Sequence, residues 1–207
     1  MNMNNQEFWN ERYSRKEFIY GELPNEYLKE KLTGLPPGKI LFPAEGEGRN
    51  AVFAARSGWT VSAFDQSKTG KEKAELLARK NGVEIDYLVS EVESTSYSEN
   101  SFDAVALLYA HFHFSKRKAY HQMLSAYLMK GGILILEAFA KRQSEYQKQN
   151  PNAGGPKDAS MLYDLEDLKK DFEGFELVET YEGATELNEG DYHKGKASVI
   201  RIFARKL

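Results

Sequence analysis

The sequence predicts an α/β fold: one mostly parallel sheet of about seven strands whose last strand runs antiparallel. Three observations carry that expectation. From Lys39 onward, short runs rich in Val, Ile, Leu and Phe alternate with longer amphipathic stretches, the pattern of parallel strands joined by helical crossovers. Two helix stops, Asn81-Gly82 and Lys130-Gly131-Gly132, are each followed at once by an apolar run, so the chain turns straight back into the sheet. Phe175 to Glu182 and Ala197 to Arg205 are both strand-like with no helix between them, and neighbouring strands that lack a crossover pair antiparallel.

A length of 207 residues suits a single domain. Residues 1–37 read as an aromatic-rich leader (Phe8, Trp9, Tyr13, Phe18, Tyr20 and Tyr27), set off by Pro36-Pro37-Gly38 from a core over 38–207. Expected strands in the core are Lys39 to Pro43, Thr60 to Phe64, Ile85 to Val89, Phe102 to Leu108 and Gly132 to Ala138. The expected helices are Arg49 to Ser57, Gly70 to Asn81 and Ser115 to Met129. Gln147 to Ser160, with Pro151, Gly154, Gly155 and Pro156, reads as a mobile loop near a site. The charge runs Lys68 to Lys80 and Glu166 to Glu173 read as exposed helix faces.

Composition removes several function classes. With no cysteine there are no disulfides, thiolate metal sites or thiol nucleophiles, which suits a reducing, cytoplasmic setting. A formal net charge of -3 gives no general basic excess for nucleic acid, and the four histidines are scattered without metal-ligand spacing. The polar start lacks a signal peptide's basic-then-apolar order, and runs such as Ala104 to Ala110 fall far short of a membrane span. The expected partner is a small molecule, with no nucleic acid, membrane or metal. Neither heptads nor a long apolar edge speak to oligomeric state.

The most informative stretch is Ile40-Leu41-Phe42-Pro43-Ala44-Glu45-Gly46-Glu47-Gly48-Arg49-Asn50-Ala51. A strand enters small residues and then opens a helix, leaving backbone N–H groups free to meet the polar parts of a nucleotide-like ligand. Asp65 ends the second strand about 20 residues further on, where a carboxylate can accept both hydrogen bonds of a ribose diol. Helix capping is the plainer role for that aspartate. Gly46-x-Gly48-x-x-Ala51 also fits a dinucleotide fingerprint, so turn and acid together indicate an adenosine ligand without saying which.

Glu45 to Val52, followed by Gly58-Trp59-x-Val61-x-Ala63-Phe64-Asp65-Gln66-Ser67, resembles the first two motifs of class I S-adenosylmethionine-dependent methyltransferases. Within them it is most similar to the tellurite-resistance and thiopurine methyltransferase-like group. Phe8-Trp9-Asn10-Glu11-Arg12-Tyr13 resembles the segment that closes over the cofactor in that group. The resemblance implies a Rossmann-like doubly wound seven-stranded sheet and S-adenosylmethionine as cofactor. It implies that Ala44, Glu45, Gly46 and Gly48 lie against the cofactor's methionine end and that Asp65 holds its ribose. Gln66 and the pair Glu91-Val92 would flank adenine, and Tyr109 would sit under the cofactor. Phe42 and Ala44 depart from the usual acid and glycine of the first motif, which makes Glu45 a candidate substitute for binding the cofactor's amino group.

Methyl transfer from a sulfonium is an in-line displacement that depends on alignment more than on acid-base chemistry. Trp9, Tyr13 and Tyr20 are candidates to face the sulfonium through cation-π attraction. A thiol or metalloid is the expected acceptor of the methyl group, since it needs little help to ionise, whereas a hydroxyl or amine needs a base. Of the two imidazoles in Tyr109-Ala110-His111-Phe112-His113, His111 is the better placed, with a structural role as the plainer alternative. His193, between the last two strands, reads as part of a solvated hairpin loop. Two other readings stay open: an NAD(P)-dependent oxidoreductase, and a non-catalytic module that holds S-adenosylmethionine.

Overall fold

A computed structural model describes residues 5–207. Seven strands form one sheet in the order β3-β2-β1-β4-β5-β7-β6. In chain order they are β1 (Lys39–Pro43), β2 (Thr60–Asp65), β3 (Asp86–Val89), β4 (Phe102–Leu108), β5 (Leu128–Phe139), β6 (Phe175–Glu189) and β7 (His193–Lys206). The first five pair parallel, and β7 runs antiparallel to both β5 and β6.

The helices are α1 (Asn5–Tyr13), α2 (Glu26–Thr33), α3 (Arg49–Arg56), α4 (Lys68–Lys80), α5 (Phe114–Tyr127), α6 (Gln143–Gln149) and α7 (Leu165–Asp171). Strand β1 is central and covered on both faces, which explains its unbroken Ile40-Leu41-Phe42 run. Successive residues point to opposite faces. Leu41 therefore joins Val105, Leu107 and Leu136 against Leu124 of α5 and Leu168 of α7. Ile40 and Phe42 instead pack with Leu28 of α2 and with Ala51 and Ala54 of α3. The leader thus divides in two, since α2 buries Tyr27, Leu28 and Leu32 in this second layer.

Three sequence expectations need correction. The helix expected to run to Met129 ends at Tyr127, and β5 begins at Leu128 with no loop. Leu128 is fully buried and pairs with Phe102, so packing draws it into the sheet before the glycines are reached. The segment expected as a mobile loop is partly helical and internally tied. Gln143 Nε2 donates to the carbonyls of Ala153 and Gly154, and Gln147 Nε2 to those of Gly154, Gly155 and Pro156. Nor are both charge runs wholly exposed: Asp171 is buried against Arg117 (2.6 Å) and His121 (2.9 Å), and Lys73 pairs with Glu47 at 2.6 Å.

Candidate active site

The β1–α3 turn lies at the carboxyl edge of the sheet, where open α/β folds place ligands. Its backbone is left-handed at Ala44 (φ 53°), Gly46 (φ 63°) and Gly48 (φ 85°). A Cβ on Gly46 would lie 2.6 Å from the Tyr13 hydroxyl, and one on Gly48 would lie 2.5 Å from Ala74 Cβ. The first glycine admits the leader, and the second lets α4 pack against the turn.

Asp65 ties β2 to this turn. Its Oδ2 accepts from the Gly46 N–H (3.0 Å) and its Oδ1 from the Ser67 N–H (2.8 Å). The helix cap once open to Asp65 is Ser67, whose hydroxyl accepts from the Gly70 N–H at 3.0 Å. Burial pushes the Asp65 carboxyl up to about 6, against the pull of the two backbone donors. An ionised carboxylate offers about four acceptor positions, and backbone takes one on each oxygen here. A ribose diol, with two donors a carbon–carbon bond apart, matches that remaining capacity. The acceptor set therefore fits the diol of a ribose-bearing ligand.

Glu45 is spoken for differently. Its Oε1 accepts from the N–H groups of Asn50 (2.9 Å) and Ala51 (2.8 Å), satisfying the first turn of α3. Burial raises its carboxyl to about 7 despite those N–H groups and Arg49. That oxygen serves as the helix cap of α3. Gln66 is half-buried and Glu91 exposed at the ends of β2 and β3, while Val92 packs into the core.

The leader covers the turn through several bonds. Gln6 Nε2 donates to the Gln66 carbonyl (2.9 Å). Asn10 Oδ1 accepts from Ser67 Oγ (2.8 Å), and Glu47 Oε2 accepts from the Ile19 N–H (2.8 Å). Trp9 stacks on Tyr13 at 5.4 Å, and Tyr13 is buried on Gly46. Gly46, Gly48 and Asp65 are all buried, with Tyr13 of α1 packed on Gly46. Tyr20 joins this leader to the turn, its hydroxyl accepting from Arg12 Nη1 (3.4 Å) and its N–H donating to Glu47 Oε2 (3.4 Å), with its ring 4.5 Å from that of His193.

A second group of side chains converges beside Tyr109, which is left-handed at φ 56°. The buried Glu137 of β5 accepts from Tyr109 Oη (2.5 Å), Asn25 Nδ2 (2.7 Å) and Arg201 Nε. Glu189, at the end of β6, accepts from Asn25 Nδ2 (3.1 Å) and Arg49 Nη2 (2.8 Å). Burial works against the Glu189 charge, yet Arg49 and His193 hold its carboxyl down to about 2. The His193 ring is T-shaped to Tyr109 at 4.4 Å and buried, which corrects the solvated-loop expectation. Because β6 and β7 extend to Glu189 and His193, the hairpin loop shrinks to Gly190, Asp191 and Tyr192 and carries His193 inward.

His111 is not a free base. Its Nδ1–H donates to the Met161 carbonyl (2.7 Å), and Nε2 accepts from the Phe139 N–H (3.1 Å). Burial lowers its pKa to about 4. The ring is a neutral brace, and the structural reading holds. Sequence reasoning missed Asn25, Arg49, Glu137 and Glu189. Only Glu137 carried a signal, as a lone acid within the apolar run Ile133 to Ala138.

Residues 43–136 match a family model described as a methyltransferase domain. The ubiquinone biosynthesis O-methyltransferase of Rickettsia canadensis is 29% identical over 125 residues, covering 58% of this chain and 52% of that protein. The namesake from Methylocella silvestris is 30% identical over 122 residues, covering 59% and 46%. The chain thus spans about half the length of the curated relatives it matches. Among solved structures, one titled for conversion of a disulfide bond into a thioacetal group during echinomycin biosynthesis superposes with TM-score 0.79. It is 20% identical and covers 98% of this chain and 92% of that one. TehB from Haemophilus influenzae has TM-score 0.71 at 16% identity, covering 98% and 67%. At these identities the structural likeness concerns the fold: a Rossmann-like methyltransferase sheet, as the sequence predicts.

Proposed function

We propose that this chain, through its methyltransferase domain, transfers a methyl group from S-adenosylmethionine to a small molecule. One observation carries the reading: a buried carboxylate, Asp65, keeps acceptor capacity unspent beside a left-handed glycine turn. The domain match over residues 43–136 and the methyltransferase names of the relatives support it. When bound, the cofactor supplies an electrophilic methyl group on a sulfonium.

The chain's own residues do the rest. Asp65 would accept hydrogen bonds from the ribose hydroxyls, and the Gly46–Gly48 turn would let the cofactor approach the backbone closely. Gln66, Glu91 and Val92 would border the adenine, and Tyr109 would sit under the cofactor. Closure of α1 brings Trp9 and Tyr13 over the turn and excludes water, as in-line displacement requires. Tyr20 lies on the acceptor side, against His193.

For the acceptor, the resemblance of the sequence motifs to the tellurite-resistance and thiopurine methyltransferase-like group supports a thiol or metalloid. The name O-methyltransferase carried by the relatives supports oxygen. A cysteine-free chain suits a cytoplasmic setting, which belongs to the same proposal.

Thermal-shift titrations with S-adenosylhomocysteine and with NADH test the reading, since a ligand of the native state stabilises by mass action. S-adenosylhomocysteine is expected to raise the melting temperature and NADH to leave it unchanged. Stabilisation by NADH alone would favour an oxidoreductase. Cofactor binding with no labelled-methyl transfer to thiols, tellurite or phenols would favour a binding module.

A further inference from the structure

His193 sits where the hairpin, the leader and the end of β4 meet. The rings of Tyr20 (4.5 Å), Tyr109 (4.4 Å) and Phe139 (5.2 Å) surround it. Gly154, left-handed at φ 83°, makes room for it, because a Cβ there would lie 2.5 Å from His193 Cδ2. The imidazole's Nδ1 lies 3.2 Å from Glu189 Oε2. A carboxylate only accepts, so Nδ1 carries the proton and Nε2 holds the lone pair. Among the described residues, no hydrogen bond takes up Nε2.

Glu189 is in turn fixed by Arg49 Nη2 (2.8 Å) and Asn25 Nδ2 (3.1 Å). The imidazole is thus oriented by a carboxylate that is itself anchored, with its basic nitrogen unspent. An acceptor already ionised near neutrality has no use for such a pair. A hydroxyl must lose its proton as the new bond forms, and a neutral imidazole is suited to take it.

Resting on the methyl-transfer reading above, we propose that His193 is the catalytic base for a hydroxyl-bearing acceptor, an alcohol or a phenol, and that Glu189 is its positioning residue. The acceptor O–H proton passes to His193 Nε2, and the oxygen lone pair forms the new O–CH3 bond. The C–S bond of the sulfonium breaks with its electron pair returning to sulfur. The imidazolium that results is stabilised by Glu189 and later gives its proton to water.

The charged and titratable groups around the ring set its pH behaviour. Burial lowers the His193 pKa, and Arg49 acts in the same direction, while Glu189 and Glu137 raise it. Tyr20, Tyr109 and His111 complete the surroundings, and all three are neutral near pH 7.

Two measurements test the proposal. In the first, histidine titrations of the free chain are followed by NMR, with the His193 signal assigned by its loss in His193→Gln. Glu189→Gln is expected to lower the His193 pKa by about one unit or more; an unmoved pKa would overturn the pairing. In the second, methyl transfer is compared on catechol, whose hydroxyls stay protonated near neutrality, and on 4-nitrothiophenol, which is a thiolate there.

His193→Gln is expected to lower kcat on catechol by about 10²- to 10⁴-fold and to abolish the acid limb of its pH profile. The loss on the thiolate is expected to be at least about tenfold smaller. In Glu189→Gln the acid limb should move to lower pH. Equal losses on both acceptors, or wild-type transfer to the thiolate with none to catechol, would overturn the proposal. Binding of S-adenosylhomocysteine by calorimetry is read beside each variant. Its retention in His193→Gln shows that the variant is folded, whereas its absence in the wild type refutes the methyl-transfer reading itself.

Discussion

The turn after β1 and the polar cluster under the β6–β7 hairpin share one edge of the sheet, yet they are assembled from different materials. At the turn, backbone conformation does most of the work: three left-handed residues, two close approaches and a carboxylate held by backbone N–H groups. In the hairpin cluster, side chains from α3, β5, β6, β7 and the leader meet through charge, with Glu137 and Glu189 each taking several donors. The first region should fail when geometry is violated, the second when charge is left unpaired.

The largest expected effect is on the charged side. Glu137→Leu strands Arg201, Asn25 and the Tyr109 hydroxyl around a buried position, and removing one partner of a buried pair costs about 3 to 5 kcal/mol. Urea denaturation should show it; a loss within 1 kcal/mol (roughly the worth of a surface pair) would mean the cluster is not mutually dependent.

Next comes pH, where the two regions carry opposite signs. The Asp65 carboxyl is raised on folding to about 6, so it favours the folded state at low pH and loses that advantage as pH rises from about 4 through about 6. Asp65→Asn should therefore remove the loss of stability between about pH 4 and pH 7, read as the change in unfolding free energy between those two pH values, while its amide nitrogen, facing a backbone N–H, adds a cost that does not vary with pH. Glu189 is lowered to about 2, so its contribution is present above about 4.5 and is lost as pH falls toward 2. Glu189→Gln should destabilise at pH 7, a difference that fades in acid. Same-signed changes in pH dependence for the two variants would dissolve the contrast.

Geometry supplies the smaller effects. Gly48→Ala combines a left-handed φ of 85° with a 2.5 Å clash on Ala74 and should cost about 2 to 3 kcal/mol. Gly131→Ala has a similar φ of 78° with open space around it and should cost only about 1 kcal/mol. The smallest is Ala44→Gly, which relieves a φ of 53° and should gain up to about 1 kcal/mol.

The same contrast explains what the sequence disclosed. Strands β1 and β4 are legible to the residue, because buried parallel strands write themselves as largely apolar runs. The turn is legible too, since Gly46, Gly48 and Asp65 act within about 20 residues of one another. The hairpin cluster is not, because Asn25, Glu137 and Glu189 lie 112 and 164 residues apart along the chain and meet only through the sheet order. His193 reads as a loop residue for the same reason. Gly190 and Asp191 mark a turn correctly, but local sequence carries no record of what the turn folds over.

The central claim is that Asp65 holds the ribose of S-adenosylmethionine beside the glycine turn. Calorimetric titration of S-adenosylhomocysteine into the wild type and into Asp65→Ala at pH 7.5 tests it most directly. Hydrogen bonds to a charged group are worth about 1.5 to 3 kcal/mol each, so the variant should bind at least about 30-fold more weakly, with unchanged stoichiometry. Equal affinity in the two chains, or no binding to the wild type, would contradict the claim.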